Sequence, residues 1–500
     1  MNAVTCPIAS GARRHPRAPA LLTPQRIWTY CELDTAIAGA AAQLRRTGLR
    51  RGDKLAVHLP NDWRYPVVLW ALLRLGVLAV LTNLRLPPAA LAAQLRTAGV
   101  RRMVVAEKME LPDIKQLAVG GGQVDGGVLA GVGFAGLESP AHKNSGLGCS
   151  SSVGGASQPR EMAPKLYTNY QPARIQLNTP AVVLFTSAST GAAKAVVLTF
   201  GNLYYNALGS NRNIVLRRGD RWLLSLPLYH VSGLGVLLRA WLAGAAVSIP
   251  AGPEVPEEAT HVSLVPTQLQ RLMASRRGVG ALRKMKAVLV GGAATETRLL
   301  AAARAAGIRV LPTYGMTEMA SQVCTLPPGA QRSKWFTSGR MLPFREMEVD
   351  AAGVIRVRGR TRFFGYLAHG RLQRLAPEGW FGTGDLGALD ADGYLTVRGR
   401  KDNLFISGGE NIQPEEIEQA LLALPGVTAA IVVPRADAEF GARPVAFVRC
   451  ARKIPAEKWR GALRGELPAY KIPVEFLPWP KNVPPGLKLS RPFFAARLPR

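Results

Sequence analysis

Apolar and polar positions along this chain follow two periods, and the places where one gives way to the other divide it. From residue 28 to about 110 the periods take turns: WTYCELDTAIAGAAAQLRRTG carries an apolar helical face, DKLAVHLP alternates as a strand, and WRYPVVLWALLRLG returns to the helix. Such alternation predicts βαβ units on a parallel sheet. After Thr179 the pattern resumes, with strands AVVLF, RWLLSLPL, AAVSIP, HVSLVP, KAVLVGG and RVLPTYG separated by helical stretches. Residues 352–398 shorten into strands and turns, GVIRVRG and, after the turn ADG, YLTVRGR, which predicts a small β region. Beyond the break at GRKD, Pro414 stands in the favoured first turn of a helix. Strands TAAIVVP and RPVAFVRC, a helix AEKWRGALRGEL and a strand near VEFLPWP follow it. The expected fold class is α/β: a large layered α/β N-terminal domain over residues 1–398 with a small β region, a hinge over 399–402, and a smaller mobile α+β C-terminal domain over 403–500.

One stretch breaks this order. Residues 118–170 read GGGQVDGGVLAGVGFAGL and SGLGCSSSVGGASQP, too poor in apolar periodicity to build a core, and are expected to be a disordered low-complexity insertion. The remainder, in a chain of 500 residues with 48% hydrophobic and 19% charged residues, has length enough for several cores. Five cysteines, Cys6, Cys31, Cys149, Cys324 and Cys450, lack paired ligand spacing, which argues against a zinc site or a disulfide framework. The expected compartment is reducing: the cytoplasm, or a plastid if the source is a photosynthetic eukaryote. No apolar run reaches 18 residues, the best, around 66–82, being interrupted by Arg74, so no transmembrane segment is expected. The balance of 63 basic and 33 acidic residues, net +30, would attract nucleotides, coenzymes or other polyanions. The arginines are scattered singly and in pairs, without a basic block or an aromatic stripe, and no nucleic-acid face is expected.

The candidate chemistry begins at residues 186–194, TSASTGAAK, directly after the strand AVVLF. A loop of small residues lets backbone N–H groups close around phosphate oxygens, while hydroxyls and one lysine add donors. Four more segments follow in order: YGMTE at 314–318, GWFGTGDLG at 379–387, GRKDNLFISGGENI at 399–412 and GLKLSR at 486–491. Together the five resemble the adenylate-forming superfamily of acyl-CoA synthetases, luciferases and peptide-synthetase adenylation domains, from about residue 15 to residue 492 apart from the glycine-rich stretch. Within it, LVPTQLQRL, LVGGAA, TYGMTEMASQV and ISGGENIQPEEIE look most like the 2-succinylbenzoate:CoA ligases of menaquinone and phylloquinone biosynthesis.

That resemblance implies ATP-dependent activation of a carboxylic acid as its acyl adenylate, then thioester formation with coenzyme A, with Mg2+ as the metal. By resemblance, Thr186, Ser187, Ser189, Thr190, Gly191 and Lys194 hold the β and γ phosphates. Glu318 is the magnesium ligand and a catalytic residue, and Thr317 contacts phosphate. Tyr314 stacks on adenine, with Gly315 leaving room for the nucleotide. Asp385 binds the ribose hydroxyls and Arg400 joins it. Lys488 bridges carboxylate and α-phosphate oxygens as the catalytic lysine, Asp402 is the hinge, and His230, also a catalytic residue, flanks the acyl site. Ser321, followed by Gln322, touches the acid, whose second carboxylate would suit a basic, hydroxyl-lined pocket. Departures are Ala188 and Ala195, where the family usually carries glycine, which predict reduced activity, and Leu487 between Gly486 and Lys488, where glycine commonly precedes the lysine, which leaves the lysine's register open by one position. Two other readings stay open: another aryl- or acyl-CoA synthetase, and a weakened ligase scaffold that binds polyanions. A homo-oligomer is also left open.

Overall fold

The helix read in WTYCELDTAIAGAAAQLRRTG opens on a capping box: the Thr29 hydroxyl accepts from the Glu32 N–H at 3.2 Å, and the Glu32 carboxylate accepts from the Thr29 N–H at 2.8 Å. Helix Tyr30–Arg46 follows, and helix Arg64–Leu75 ends at Gly76, whose φ of 70° lies in the left-handed region. The computed structural model describes residues 2–109, 111, 113–118, 172–186, 193–252, 255–256, 258–376, 379–451, 454–483 and 490–499. The expected insertion at 118–170 therefore lies, from residue 119 on, outside the described residues.

Two sheets dominate the N-terminal part. The first has eight strands, ordered Arg371–Arg374, Gly365–Ala368, Lys194–Thr199, Pro180–Thr186, Leu78–Leu81, Lys54–His58, Arg102–Val105, Lys115–Ala118. The second has nine, ordered Arg340–Met341, Ser321–Thr325, Val310–Met316, Ala287–Val290, His261–Leu264, Arg221–Leu223, Ala246–Ser248, Pro19–Leu22, Ile27–Thr29. Their central strands are parallel, as alternation predicts. Helices Tyr30–Arg46, Arg64–Leu75, Phe200–Asn213 and Val231–Leu242 supply one buried cluster that reaches both sheets. The apolar run at 182–184 serves two clusters by its period of two: Val182 and Leu184 face these helices, while Val183 faces the cluster around helix Pro88–Ala98. A third cluster covers the far face of the second sheet, completing a stack of helix, sheet, helix, sheet, helix. Within the middle layer, Trp70 and Trp241 meet edge to face at 4.6 Å.

The short strands predicted after residue 352 form an antiparallel sheet, ordered Arg345–Val349, Val354–Gly359, Phe381–Leu389, Leu395–Arg400. Beyond it a smaller α+β unit packs helix Pro414–Ala423 on the sheet Val427–Asp437, Gly441–Cys450, Glu475–Pro478 around its own core. Pro414 is the first helical residue, as its position in the sequence suggests. Among the described residues no helix is long and apolar enough to cross a membrane.

Candidate active site

Antiparallel pairing builds the first half of the site. Asp385 and Arg400 are register partners, so residues fifteen apart in sequence stand side by side. Arg400 Nη1 donates to Asp385 Oδ1 at 3.1 Å and Nη2 donates to Asp402 Oδ2 at 3.0 Å. Nη1 also donates to the Thr383 carbonyl at 3.0 Å, and the Thr383 hydroxyl accepts from the Asp385 N–H at 3.0 Å. From the neighbouring sheet, the Tyr314 hydroxyl donates to Asp385 Oδ2 at 2.6 Å. Burial raises the Tyr314 phenol well above its ordinary pKa, and the adjacent Asp385 charge adds to this, so the ring stays a neutral donor. Each Asp385 oxygen thus takes one protein donor and keeps a lone pair for another.

The second half comes from the edge of the eight-stranded sheet. Lys194 and Thr186 are register partners at the mouth of the hairpin whose loop carries the phosphate motif; Ser187, Ala188, Ser189, Thr190 and Gly191 lie outside the described residues. Lys194 Nζ stands 5.7 Å from the centre of the Tyr366 ring, and the Tyr366 hydroxyl donates to Glu318 Oε1 at 3.3 Å. Burial pushes the Glu318 carboxyl above its usual range, while the Tyr366 hydrogen bond and the charges of Lys194 and Arg400 pull it back. Glu318 therefore sits in the fields of both halves. Lys194, Glu318, Tyr314, Asp385 and Arg400 share one region, with Thr317 beside Glu318 in the short turn Thr317–Met319. Lys488 lies outside the described residues.

Behind this turn the backbone is held in unusual geometry. Ala320 and Ser321 have φ of 55° and 113°, the left-handed region that non-glycine residues avoid. Gly315 faces them at a bulge, and a Cβ there would stand 2.1 Å from the Ser321 carbonyl oxygen. Its missing side chain makes room for the chain's own backbone. His230 caps helix Val231–Leu242 with its ring 4.7 Å from that of Tyr229.

Sequence reasoning missed Tyr366 and Arg239. The latter is 1% exposed, its Nη2 donates to Ser321 Oγ at 3.2 Å, and its guanidinium lies 5.2 Å from the Trp222 ring centre. Burial lowers its pKa to about 9, which leaves it cationic at neutral pH. Its one signal in the sequence is an arginine interrupting the apolar helix VSGLGVLLRAWL.

The profile of the AMP-binding enzyme family matches residues 8–367, and that of the AMP-binding enzyme C-terminal domain matches residues 416–484. A 2-succinylbenzoate--CoA ligase of Salmonella typhimurium is 34% identical over 484 residues, covering 95% of this chain and 94% of its own. The o-succinylbenzoate CoA synthetase of Bacillus subtilis, in complex with the acyl-adenylate intermediate OSB-AMP, superposes with a TM-score of 0.80 at 27% identity, covering 100% of this chain and 99% of that one. The same enzyme in complex with ATP and magnesium ion gives a TM-score of 0.78 at 28% identity, covering 98% and 99%.

Proposed function

The chain belongs to the AMP-binding enzyme family, and from that premise we propose that it is an AMP-forming acid–thiol ligase that converts 2-succinylbenzoate to its coenzyme A thioester, a step of menaquinone or phylloquinone biosynthesis. The observation that carries the reading is the convergence of Tyr314, Asp385 and Arg400 on one side and Glu318 and Lys194 on the other.

In the first step a carboxylate oxygen of the acid attacks the α-phosphorus of ATP, a phosphoanhydride bond breaks, and pyrophosphate leaves. Asp385 accepts from the ribose hydroxyls with its two remaining lone pairs, and Arg400 keeps it oriented. Tyr314 supports the adenine side. Lys194, Thr186 and the loop residues Ser187, Ser189, Thr190 and Gly191 hold the outer phosphates, and Lys488 neutralises charge between acid and α-phosphate. No group of three or more metal-binding side chains occurs among the described residues. One carboxylate beside a triphosphate suits magnesium, which keeps several waters and takes its remaining ligands from phosphate, so Glu318 with Thr317 fits that ion. When bound, magnesium offsets the negative charge gathered on the phosphates.

In the second step the thiol sulfur of coenzyme A attacks the acyl carbon, the acyl–phosphate bond breaks, and AMP leaves as the thiol proton is lost to solvent. We assign Asp402 as the pivot about which the C-terminal unit turns between steps. His230 flanks the acyl group and Ser321 touches the acid. Arg239, held on Ser321 with Nε and Nη1 lacking a partner among the described residues, meets the second carboxylate.

A panel of carboxylic acids with ATP, magnesium and coenzyme A, scored by thioester mass and pyrophosphate release, tests the reading. The expected result is release that requires an acid, with 2-succinylbenzoate preferred. Acid-independent release or no thioester would overturn it.

A further inference from the structure

We infer that Arg345 is a specificity-determining residue of the acid pocket: standing behind Ser321 and Gln322, it adds a second buried positive charge to that of Arg239 and favours acids with a second carboxylate over acids of the same shape without one. The inference rests on the ligase reading above and names a residue which that reading does not use.

Arg345 opens the strand Arg345–Val349 yet points inward, only 4% exposed. Its Nη1 donates to the Gln322 carbonyl, its Nε donates to the Pro343 carbonyl at 3.1 Å, and Nη2 has no partner among the described residues. None of the ion pairs among the described residues includes Arg239 or Arg345. Each guanidinium is lowered by burial to about 9, and Arg239 further lowers Arg345, as two neighbouring like charges should. Acceptors cluster around them: Asn206 donates to the Met319 and Gln322 carbonyls at 2.9 Å each, and its own Oδ1, like Gln322 Oε1, is unpartnered among the described residues.

The surrounding chain makes room for both groups. Gly209, in helix Phe200–Asn213, is placed so that a Cβ would stand 2.5 Å from Arg345 Nη2, and Gly235, in helix Val231–Leu242, so that one would stand 2.5 Å from Arg239 Nη2. A glycine inside a helix is unfavourable, and here two packed helices each carry one where a guanidinium arrives. Directly before Arg345, Phe344 has φ of 73°, a strained value for an aromatic residue, and is held there by Tyr205 at 5.3 Å and Arg212 at 4.7 Å. Opposite, Gly359 has φ of 114°, and a Cβ there would stand 2.8 Å from the Arg345 Cα.

Two uncompensated buried cations are costly unless an anion reaches them. The triphosphate is gripped elsewhere, at Lys194, Glu318 and Asp385, whereas Ser321, which carries Arg239, faces the acid. A second carboxylate on the acid supplies the missing charge. Arg345 acts on it through its field and through the Gln322 carbonyl that fixes the Ser321 turn. Two unit charges about 10 Å apart at an effective dielectric near 20 interact strongly enough for roughly a tenfold change in affinity.

The test compares kcat/KM for 2-succinylbenzoate with that for an analogue whose second carboxylate is replaced by a methyl group, in the parent enzyme, Arg345→Met and Arg345→Lys. The preference ratio should fall about tenfold in Arg345→Met and stay within about threefold of the parent in Arg345→Lys. Equal losses for both acids in Arg345→Met would mean a purely structural role and overturn the inference. Should Arg345→Met fold poorly, loss of the preference in Arg345→Lys would overturn it equally. If the parent enzyme activates neither acid but activates others, the ligase reading of this substrate fails, and the inference falls with it.

Discussion

Changing Asp385 to asparagine replaces one carboxylate oxygen by an amide nitrogen of nearly the same size, and the geometry predicts what that does to nucleotide binding. In the parent, Oδ1 accepts from Arg400 and Oδ2 from the Tyr314 hydroxyl, leaving one lone pair on each oxygen for a ribose hydroxyl. Arg400 can only donate, so the asparagine oxygen must stay toward it and the amide nitrogen must face Tyr314 and one ribose hydroxyl. One charge-assisted acceptor is lost and the other becomes neutral; at about 1.5–3 kcal/mol for the first and about 1 for the second, the loss is about 3 kcal/mol, or roughly a hundredfold in ATP affinity. Tyr314→Phe removes a donor that competes with ribose for Oδ2 without touching the charge, and should change ATP affinity by no more than about fivefold. Calorimetric titration with ATP in the absence of acid measures both, with thermal melting as the control for folding. Since Arg400 is half-exposed, its ion pair contributes little to stability, and neither variant should unfold. Asp385→Asn binding ATP within about fivefold of the parent would refute the assigned ribose contact.

Three further outcomes follow from charge placement. Because burial raises Glu318 above its usual 4.5, magnesium-dependent adenylation should decline on acidification at a midpoint above that value, and excess magnesium, which selects the ionised form, should move the midpoint down; a rate–pH profile indifferent to magnesium contradicts the metal assignment. Glu418, buried in the C-terminal unit between the Val432 N–H and Arg491, is raised from 4.5 to about 7, so the folded form holds a proton that the unfolded chain releases across that window. Stability should accordingly be highest below about pH 4.5 for this group and fall as pH rises through 7, by at most about 3 kcal/mol, with Glu418→Gln flattening the slope in melts; an unchanged slope sinks the assignment. Lys488→Ala should abolish adenylation yet largely spare thioester formation from supplied acyl adenylate, and equal loss of both half-reactions would refute the division of labour.

What was legible in the chain was whatever depends on neighbours in sequence. The helical face read in WTYCELDTAIAGAAAQLRRTG forms as helix Tyr30–Arg46. The run AVVLF predicts a strand and forms one, with Val182, Val183 and Leu184 dividing between two cores. Side chains that meet through the fold were another matter. Tyr366 reaches Glu318 across 48 positions because its strand pairs with Lys194–Thr199, a register no local pattern specifies. Gly315 was expected to leave room for the nucleotide, and the structure shows its Cβ position filled by the Ser321 carbonyl at 2.1 Å. Arg239 reads as an interruption of an apolar helix, and the same single arginine could have snorkelled to solvent; packing against Trp222 and Ser321 keeps it buried instead.

The bonds around Arg400 bear on the proposed pivot at Asp402, about which the smaller unit would turn while a nucleotide stays gripped. The Arg400 guanidinium faces Asp385 on its own sheet at 3.1 Å and Asp402 in the segment beyond at 3.0 Å, while its carbonyl accepts from Gln413 Nε2 at 3.1 Å. Gln413 also donates to Glu415, whose Oε1 takes Asn403 Nδ2 at 2.5 Å and Arg491 Nη2 at 2.8 Å. Arg491 thus shares a carboxylate with Asn403, one residue beyond Asp402. Gly399, with φ of 151°, lets these groups close on the strand, since a Cβ there would stand 2.4 Å from Gln413 Nε2. Rotation about the proposed pivot at Asp402 would part Arg400–Asp402, half-exposed and worth about 1 kcal/mol or less, and Gln413–Arg400, one ordinary hydrogen bond of similar worth, along with the packing of helix Pro414–Ala423 on helix Thr297–Ala305. The Asp385–Arg400 pair lies on one side of the proposed pivot and the Glu415–Arg491–Glu418 cluster on the other, so neither need be disturbed. A cleavage plane through weak contacts, with strong ones held intact on both sides, is what two half-reactions sharing one bound adenylate require.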